Sequence, residues 1–361
     1  MRQQLMASDL QAGGSAGQPR PQRTQRLVEV DALRGIAALA VVFFHFTTRF
    51  DELFRGYPAA SISMPYGHYG VNLFFIISGF VIFMTLDRTK QPMDFVVSRF
   101  SRLYPAYWTA IVLTFVITHQ LGLPGKLVGV ETLVVNFTMV QALLGFHHVD
   151  GVYWTLEVEL LFYTGMFLLF RLGRLHQIHA VLLLLLALRM VNVFLEWRFG
   201  FGIPWTIYRL SILRYIPWFA LGICIYLVSR RAPGESLRAH ALTAGTALAS
   251  LALGDSLMLA GLALVLASIV LAAALGRLGF LRLWPFVWLG SISYPLYLLH
   301  ENIGWSVRLR LHELGLSTDL AILIMLALVL AMSTALTRIV EQPAMRWIRD
   351  RYKNRLAILA R

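Results

Sequence analysis

The chain has one cysteine, Cys224, in 361 residues, so no intramolecular disulfide is possible and cysteine usage leaves the redox compartment open. Charge is scarce too. Only 14% of residues are charged, against about a quarter in an ordinary soluble domain. Acids are the scarcer sign: 19 Asp and Glu face 32 Lys and Arg, a formal net charge of +13. No GxGxxG, Walker or CxxC spacing occurs, so there is no dinucleotide, P-loop or thiol-redox signature. Neither an internal repeat nor a soluble basic domain is present, which removes nucleic acid as the partner for the positive charge.

What is abundant is apolar sequence. Hydrophobic residues make up 58% of the chain, with a mean hydropathy of +0.65. They fall in repeated blocks of about 15 to 20 residues, the pattern of a polytopic membrane protein. The expectation is an all-α bundle of about ten transmembrane helices: 33–50, 69–87, 104–121, 154–171, 178–195, 212–229, 238–253, 256–274, 285–304 and 318–339. The seventh is short and ends at Gly254-Asp255. The stretch 131–146 reads as interfacial or re-entrant. Residues 1–26, polar with a single acid and no apolar run, read as a flexible tail; 27–345 form the membrane domain, and 346–361 a basic C-terminal tail.

Ten spans put both termini on one side. Twenty-one basic residues then lie on that side and eight opposite, so the positive-inside rule predicts both ends in the cytoplasm of an inner or plasma membrane.

Ionisable groups inside spans cost at least about 2.5–3.5 kcal/mol on insertion scales, so each is a functional candidate. His45 lies eleven residues beyond Arg34 on the first span, roughly 16 Å deeper by helical rise. Glu157 and Glu159 open the fourth span, and Tyr294, Tyr297 and His300 share a face of the ninth. Depth therefore predicts that His45, Glu159, Tyr297 and His300 converge in the outer half, with Glu159 orienting His45. Interhelical hydrogen bonding is the ordinary alternative for each, and Glu157 suits the rim. At the opposite face, Arg99 and Arg102 sit one helical turn apart, a fork suited to phosphate oxygens or plain topology anchors. Ser78-Gly79 in the second span suits close helix packing or passage of a linear ligand. Arg189 must face the bundle or a cavity, with no role assigned. Glu341 and Pro343 read as a structural cap. His147-His148 with Asp150 are weak metal candidates, so no metal is expected.

DALRGIAALAVVFFHF, FFIISGFVIF, SRFSRLYPAYW, WTLEVELLFY and SYPLYLLH, in this order, resemble the acyltransferase 3 family of integral membrane acyltransferases across about residues 27–345. The resemblance implies a ten-helix enzyme that moves an acyl group, commonly acetyl from acetyl-CoA, to a hydroxyl. Family acceptors are mostly sugars of lipopolysaccharide, exopolysaccharide or other glycans, and sometimes small lipophilic molecules such as macrolides. The family's first-helix signature falls on Arg34 and His45, its R-x-x-R motif on Arg99 and Arg102, and its tryptophan–glutamate motif on Trp154 and Glu159. Its late serine–tyrosine block falls on Ser293, Tyr294, Tyr297 and His300. Many members read Glu-Glu where this chain has Glu159-Leu160. Some relatives carry a C-terminal SGNH-type esterase domain, and the chain's end about 20 residues past the last span leads us to expect that step to be missing.

Residues and resemblance together assign Arg34, Arg99, Arg102 and Ser78 to acyl-CoA and His45, Glu159, Tyr297 and His300 to catalysis, with Tyr297 or His300 donating to an oxyanion. The donor's pantetheine arm would thread past Ser78-Gly79. Acyl-CoA, a glycan or lipid-linked sugar acceptor and membrane lipids are the expected partners; no tightly bound cofactor is needed. Two other readings stay open. A glycolipid transporter or flippase would also carry intramembrane charges. A b-type haem protein would use His45 and His300 as axial ligands.

Overall fold

The computed structural model describes residues 27–232 and 234–359. The expected tail 1–26 lies outside the described residues. Helices carry the fold, and no strand occurs among the described residues. In chain order the main ones are α1 Val28–Phe44, α2 Gly70–Asp87, α3 Pro92–Leu121, α4 Trp154–Arg171, α5 Ile178–Phe199 and α6 Ile216–Arg230. They continue as α7 Arg238–Gly254, α8 Leu257–Ala274, α9 Trp284–Leu299, α10 Glu301–Glu313, α11 Thr318–Leu336 and α12 Gln342–Leu359. The chain is thus an all-α, polytopic membrane protein.

Among the described residues, seven helical stretches are long and apolar enough to cross a membrane. Helices also occupy the other three stretches expected to span, but α6, α7 and α9 have only 15, 17 and 16 residues. At about 1.5 Å per residue they fall short of a hydrocarbon core of about 30 Å. The predicted ten is therefore not reached by length and composition. α7 ends where Gly254-Asp255 was expected to break it, because the Ser256 hydroxyl accepts from Leu259 N at 3.1 Å and caps α8. The expected basic tail, 346–361, is helical to Leu359 and packs along α3.

Small residues set the crossings that place the site. A Cβ on Gly35 would lie 2.5 Å from the Gly290 nitrogen, and one on Gly290 would strike the Asp31 carbonyl. α1 and α9 therefore touch backbone to backbone beside Asp31 and Arg34. Gly79 likewise abuts the Phe219 carbonyl and Gly222 the Ile76 carbonyl, locking α2 onto α6. Of the two readings of Ser78-Gly79, close packing holds for Gly79, whose backbone faces α6.

Two helices widen where they carry polar site residues. α1 runs into a π-helical turn, His45–Arg49, and α11 into another, Thr337–Glu341. A π-turn moves the backbone bond to i→i+5 and strands carbonyls, so it persists where other groups satisfy them. Here α10 does so. The Trp305 indole donates to the His45 carbonyl at 2.8 Å, and Arg308 to the Phe46 carbonyl at 2.8 Å.

Candidate functional site

A cavity of about 480 Å³ opens at one end of the bundle between α1, α2, α3, α4, α9 and α12. Its arginine end is formed by Arg34, Arg99, Arg102, Arg346 and Arg349; Ser78 and Glu159 line its middle, and Thr155 and Tyr297 lie along its wall. All four residues predicted to bind the donor thus line one space.

The arginines are not equivalent. Arg102 is paired with Glu341, which is 1% exposed and held at the end of the second π-turn. The expected fork of Arg99 and Arg102 is therefore half committed, because burying Glu341 uncompensated would cost several kcal/mol, on the order of 3–5. Arg99 lies 6.0 Å from the ring centres of Phe95 and Tyr163, its Nη2 donates to Ser98 Oγ at 3.2 Å, and its Nε is buried with no partner among the described residues.

Glu159 accepts from Ser78 Oγ at 2.9 Å and from the Tyr163 hydroxyl. It belongs to the cavity's middle and does not orient His45; that expectation is corrected. Projection of depth along single helices placed it too far out. Glu157 is not a rim residue either: it is 2% exposed and paired with Arg209.

The carboxylate beside His45 is Glu301, whose Oε2 lies 3.4 Å from His45 Nε2. His300 stands on the other side of the ring, its Nε2 3.2 Å from His45 Nδ1. Hydrogen positions follow from the partners. His300 Nδ1 faces the Tyr297 carbonyl at 2.8 Å, which can only accept, so Nδ1 carries the proton and Nε2 a lone pair. His45 Nδ1 faces that lone pair and the Val41 carbonyl at 2.9 Å, so it too is protonated. In neutral His45, Nε2 is then the basic atom and points at Glu301. A proton gained at Nε2 would lie between the ring and the carboxylate. His45 is 14% exposed and Glu301 6%.

Tyr297 bridges the two regions. Its ring meets Phe74 edge to face at 5.5 Å on the cavity side and lies 5.6 Å from the His300 ring on the other. Its hydroxyl donates to the Val152 carbonyl at 3.3 Å and takes a bond from Thr155 at 3.0 Å. The N–H of His300 and the O–H of Tyr297 are both given to backbone carbonyls, so neither is free to serve an oxyanion as expected.

Other candidates resolve into framework. Arg189 donates to Ser250 Oγ at 2.6 Å and pairs with Asp255. Asp150 accepts from Val152 N at 3.2 Å and Asn302 N at 3.0 Å, tying the start of α4 to α10. His148 Nδ1 accepts from Gln141 Nε2 at 2.6 Å, and burial pushes its imidazole down to about 4. No cluster of three metal-ligating side chains occurs among the described residues.

Sequence reasoning missed Glu301, the π-turns and the two arginines of α12. Glu301 directly follows His300, but α9 ends at Leu299 and α10 begins at Glu301, and that junction turns the carboxylate toward His45.

Helices of membrane-crossing length surround a cavity with an arginine-lined mouth and a buried histidine pair beyond its wall, the arrangement of an integral membrane protein with a basic internal cavity. The acyltransferase 3 family, described as an acyltransferase domain, matches residues 27–338, and the chain belongs to this family. Acyltransferase MdmB of Streptomyces mycarofaciens is 28% identical over 369 residues, covering 90% of this chain and 93% of that protein. Protein 2 in the picA locus of Rhizobium radiobacter is 33% identical over 132 residues, 33% of this chain and 64% of that protein. Nodulation protein 10 of Rhizobium leguminosarum bv. viciae is 29% identical over 165 residues, 40% of this chain and 44% of that protein. The chain therefore spans less than two thirds of the last two relatives and nearly all of the first. No solved structure matches.

Proposed function

We propose that the protein is a membrane O-acyltransferase that moves an acyl group, acetyl being the favoured one, from cytoplasmic acyl-CoA to a hydroxyl of a cell-surface or exported glycan. The arginine end faces the cytoplasm, where the donor is made. One observation carries the reading: a single cavity runs from the arginines to Tyr297, whose far face touches the His300–His45–Glu301 group. Its volume, about 480 Å³, suits a pantetheine arm, which leaves the nucleotide at the mouth.

In the reaction, the acceptor hydroxyl loses its proton to His45 Nε2 as its oxygen attacks the thioester carbonyl. The tetrahedral intermediate collapses, the C–S bond breaks, and the leaving thiolate takes the proton from Nε2, giving free CoA and the ester and restoring neutral His45. Glu301 shares the proton that Nε2 gains, and the bond to His300 keeps Nδ1 protonated. General-base help of this kind is worth about 10²–10⁴-fold. The thioester reaches His45 past Phe74 and Tyr297, which therefore act as its gate.

Purified protein in detergent, given acetyl-CoA and a sugar acceptor, should yield acetyl ester and free CoA in equal amounts. No CoA release from wild type, combined with glycolipid transport that survives His45→Ala, would replace this reading with a flippase. The full-length likeness to a protein named an acyltransferase favours transfer. Mass spectrometry of surface glycans from a deletion strain would identify the modified sugar, and unchanged glycans would point to a small lipophilic acceptor.

A further inference from the structure

The two arginines of α12 were expected to lie in a tail, yet they form part of the cavity mouth. Arg349 is held in place: its Nε donates to Ser101 Oγ at 3.1 Å and its Nη2 to the Ser98 carbonyl at 3.3 Å. The helix itself is tied to α3 by Tyr352, whose hydroxyl donates to Asp94 at 2.9 Å. Arg346 is exposed and has no hydrogen-bond or ion-pair partner among the described residues. These two guanidinium groups point into the same opening as Arg34 and Arg99, but from a different helix. Five arginines at the mouth, Arg102 included, face three carboxylates, Asp31, Glu159 and Glu341, so the opening keeps a positive excess.

The cationic groups are ordered by depth. Arg99 lies beside Tyr163, whose hydroxyl reaches Glu159 inside the cavity, so it is the inner cluster, with Arg34. Exposed Arg346 and half-buried Arg349 are the outer one. A donor that enters thioester first presents its diphosphate to the inner cluster and the rest of its nucleotide to the outer one.

Building on the acyl-CoA reading, we propose that Arg346 and Arg349 form a second phosphate subsite, specific for a nucleotide that carries a ribose phosphate monoester as well as a diphosphate. Arg349, held by Ser98 and Ser101, and Arg346, whose donors are uncommitted, place two guanidinium groups where they can share such a dianion. The C-terminal helix thereby selects the donor. The same chemistry fits the phosphate of an anionic lipid headgroup, so the test separates the two.

CoA and dephospho-CoA, which lacks the ribose phosphate, are titrated into wild type, Arg346→Gln and Arg349→Gln in detergent without added lipid. Wild type should prefer CoA by roughly tenfold or more, the equivalent of about 1.4 kcal/mol. Each variant should weaken CoA while leaving dephospho-CoA affinity unchanged. Arg346→Gln removes a side chain without partners, so its thermal midpoint should match wild type and keep the test valid if Arg349→Gln misfolds. Equal loss for both nucleotides, or no loss for either, would overturn the subsite while leaving the donor reading intact. Loss of CoA preference only when anionic vesicles compete would assign the arginines to lipid headgroups and overturn it as well. Wild type that binds neither nucleotide would instead remove the acyl-CoA reading on which the subsite rests.

Discussion

Arg189 and Arg99 are both arginines placed within helices of a membrane protein, and they end in opposite conditions. Arg189, on α5, is 1% exposed and matched by Ser250 and Asp255 from the α7–α8 junction. Both keep a buried Nε without a hydrogen-bond partner, but Arg99, on α3, lines a cavity and has no ion-pair partner among the described residues, its Nη2 donating to Ser98 Oγ. The first closes a packing contact; the second stands at the edge of open space. Intramembrane charge alone therefore does not mark function. What separates the two is an ion pair on one side and open space on the other.

The comparison can be broken or sharpened by substitution. The largest effect belongs to the end of the path. His45→Gln removes the basic nitrogen, and transfer should fall by about 10²–10⁴-fold with the protein still folded. An unchanged rate at equal expression would end the general-base assignment. Asp255→Ala tests the closed region. It leaves Arg189 buried with Ser250 alone, and since Asp255 is 23% exposed the loss should be near the low end for a broken pair, about 3 kcal/mol. The thermal midpoint should drop, while the folded fraction keeps its turnover. A selective loss of turnover would make α5 part of the site. Arg99→Lys tests the open region: it keeps the charge but loses the fork, so KM for acyl-CoA should rise roughly tenfold with kcat little changed. Equal KM would reduce Arg99 to a topology anchor. Tyr297→Phe should do least. It removes the bond to the Val152 carbonyl and the one from Thr155, which still reaches that carbonyl, and a loss of about 1 kcal/mol of stability with near-normal kcat is expected. A kcat collapse would restore the oxyanion role that its geometry argues against.

The parts legible in the sequence were those set by hydropathy and by composition along single helices. Periodic apolar blocks located the helices, and Arg34, Ser78, Arg99 and Arg102 do line one cavity. Depth arithmetic brought His45 and His300 together correctly, because both are counted from the same end of adjacent helices, and α1 packs on α9. It misplaced Glu159, since equal counting along α4 ignores where that helix begins relative to its neighbours. Glu301 was hidden by a helix junction that no proline or glycine announces. The pairing of Arg102 with Glu341 joins residues more than two hundred positions apart through a π-turn, which leaves no local trace in composition. The role of α12 was missed for a simpler reason. Its charge reads as a solvated tail unless the wall it packs against is known.

The central claim is that donor binding and chemistry sit at opposite ends of one path. Titrating CoA into His45→Gln and Arg99→Gln, alongside wild type, tests it most directly. The account predicts wild-type CoA affinity in His45→Gln despite its lost turnover, and affinity weakened by at least roughly tenfold in Arg99→Gln. Equal weakening in both variants, or intact binding in Arg99→Gln, would contradict it.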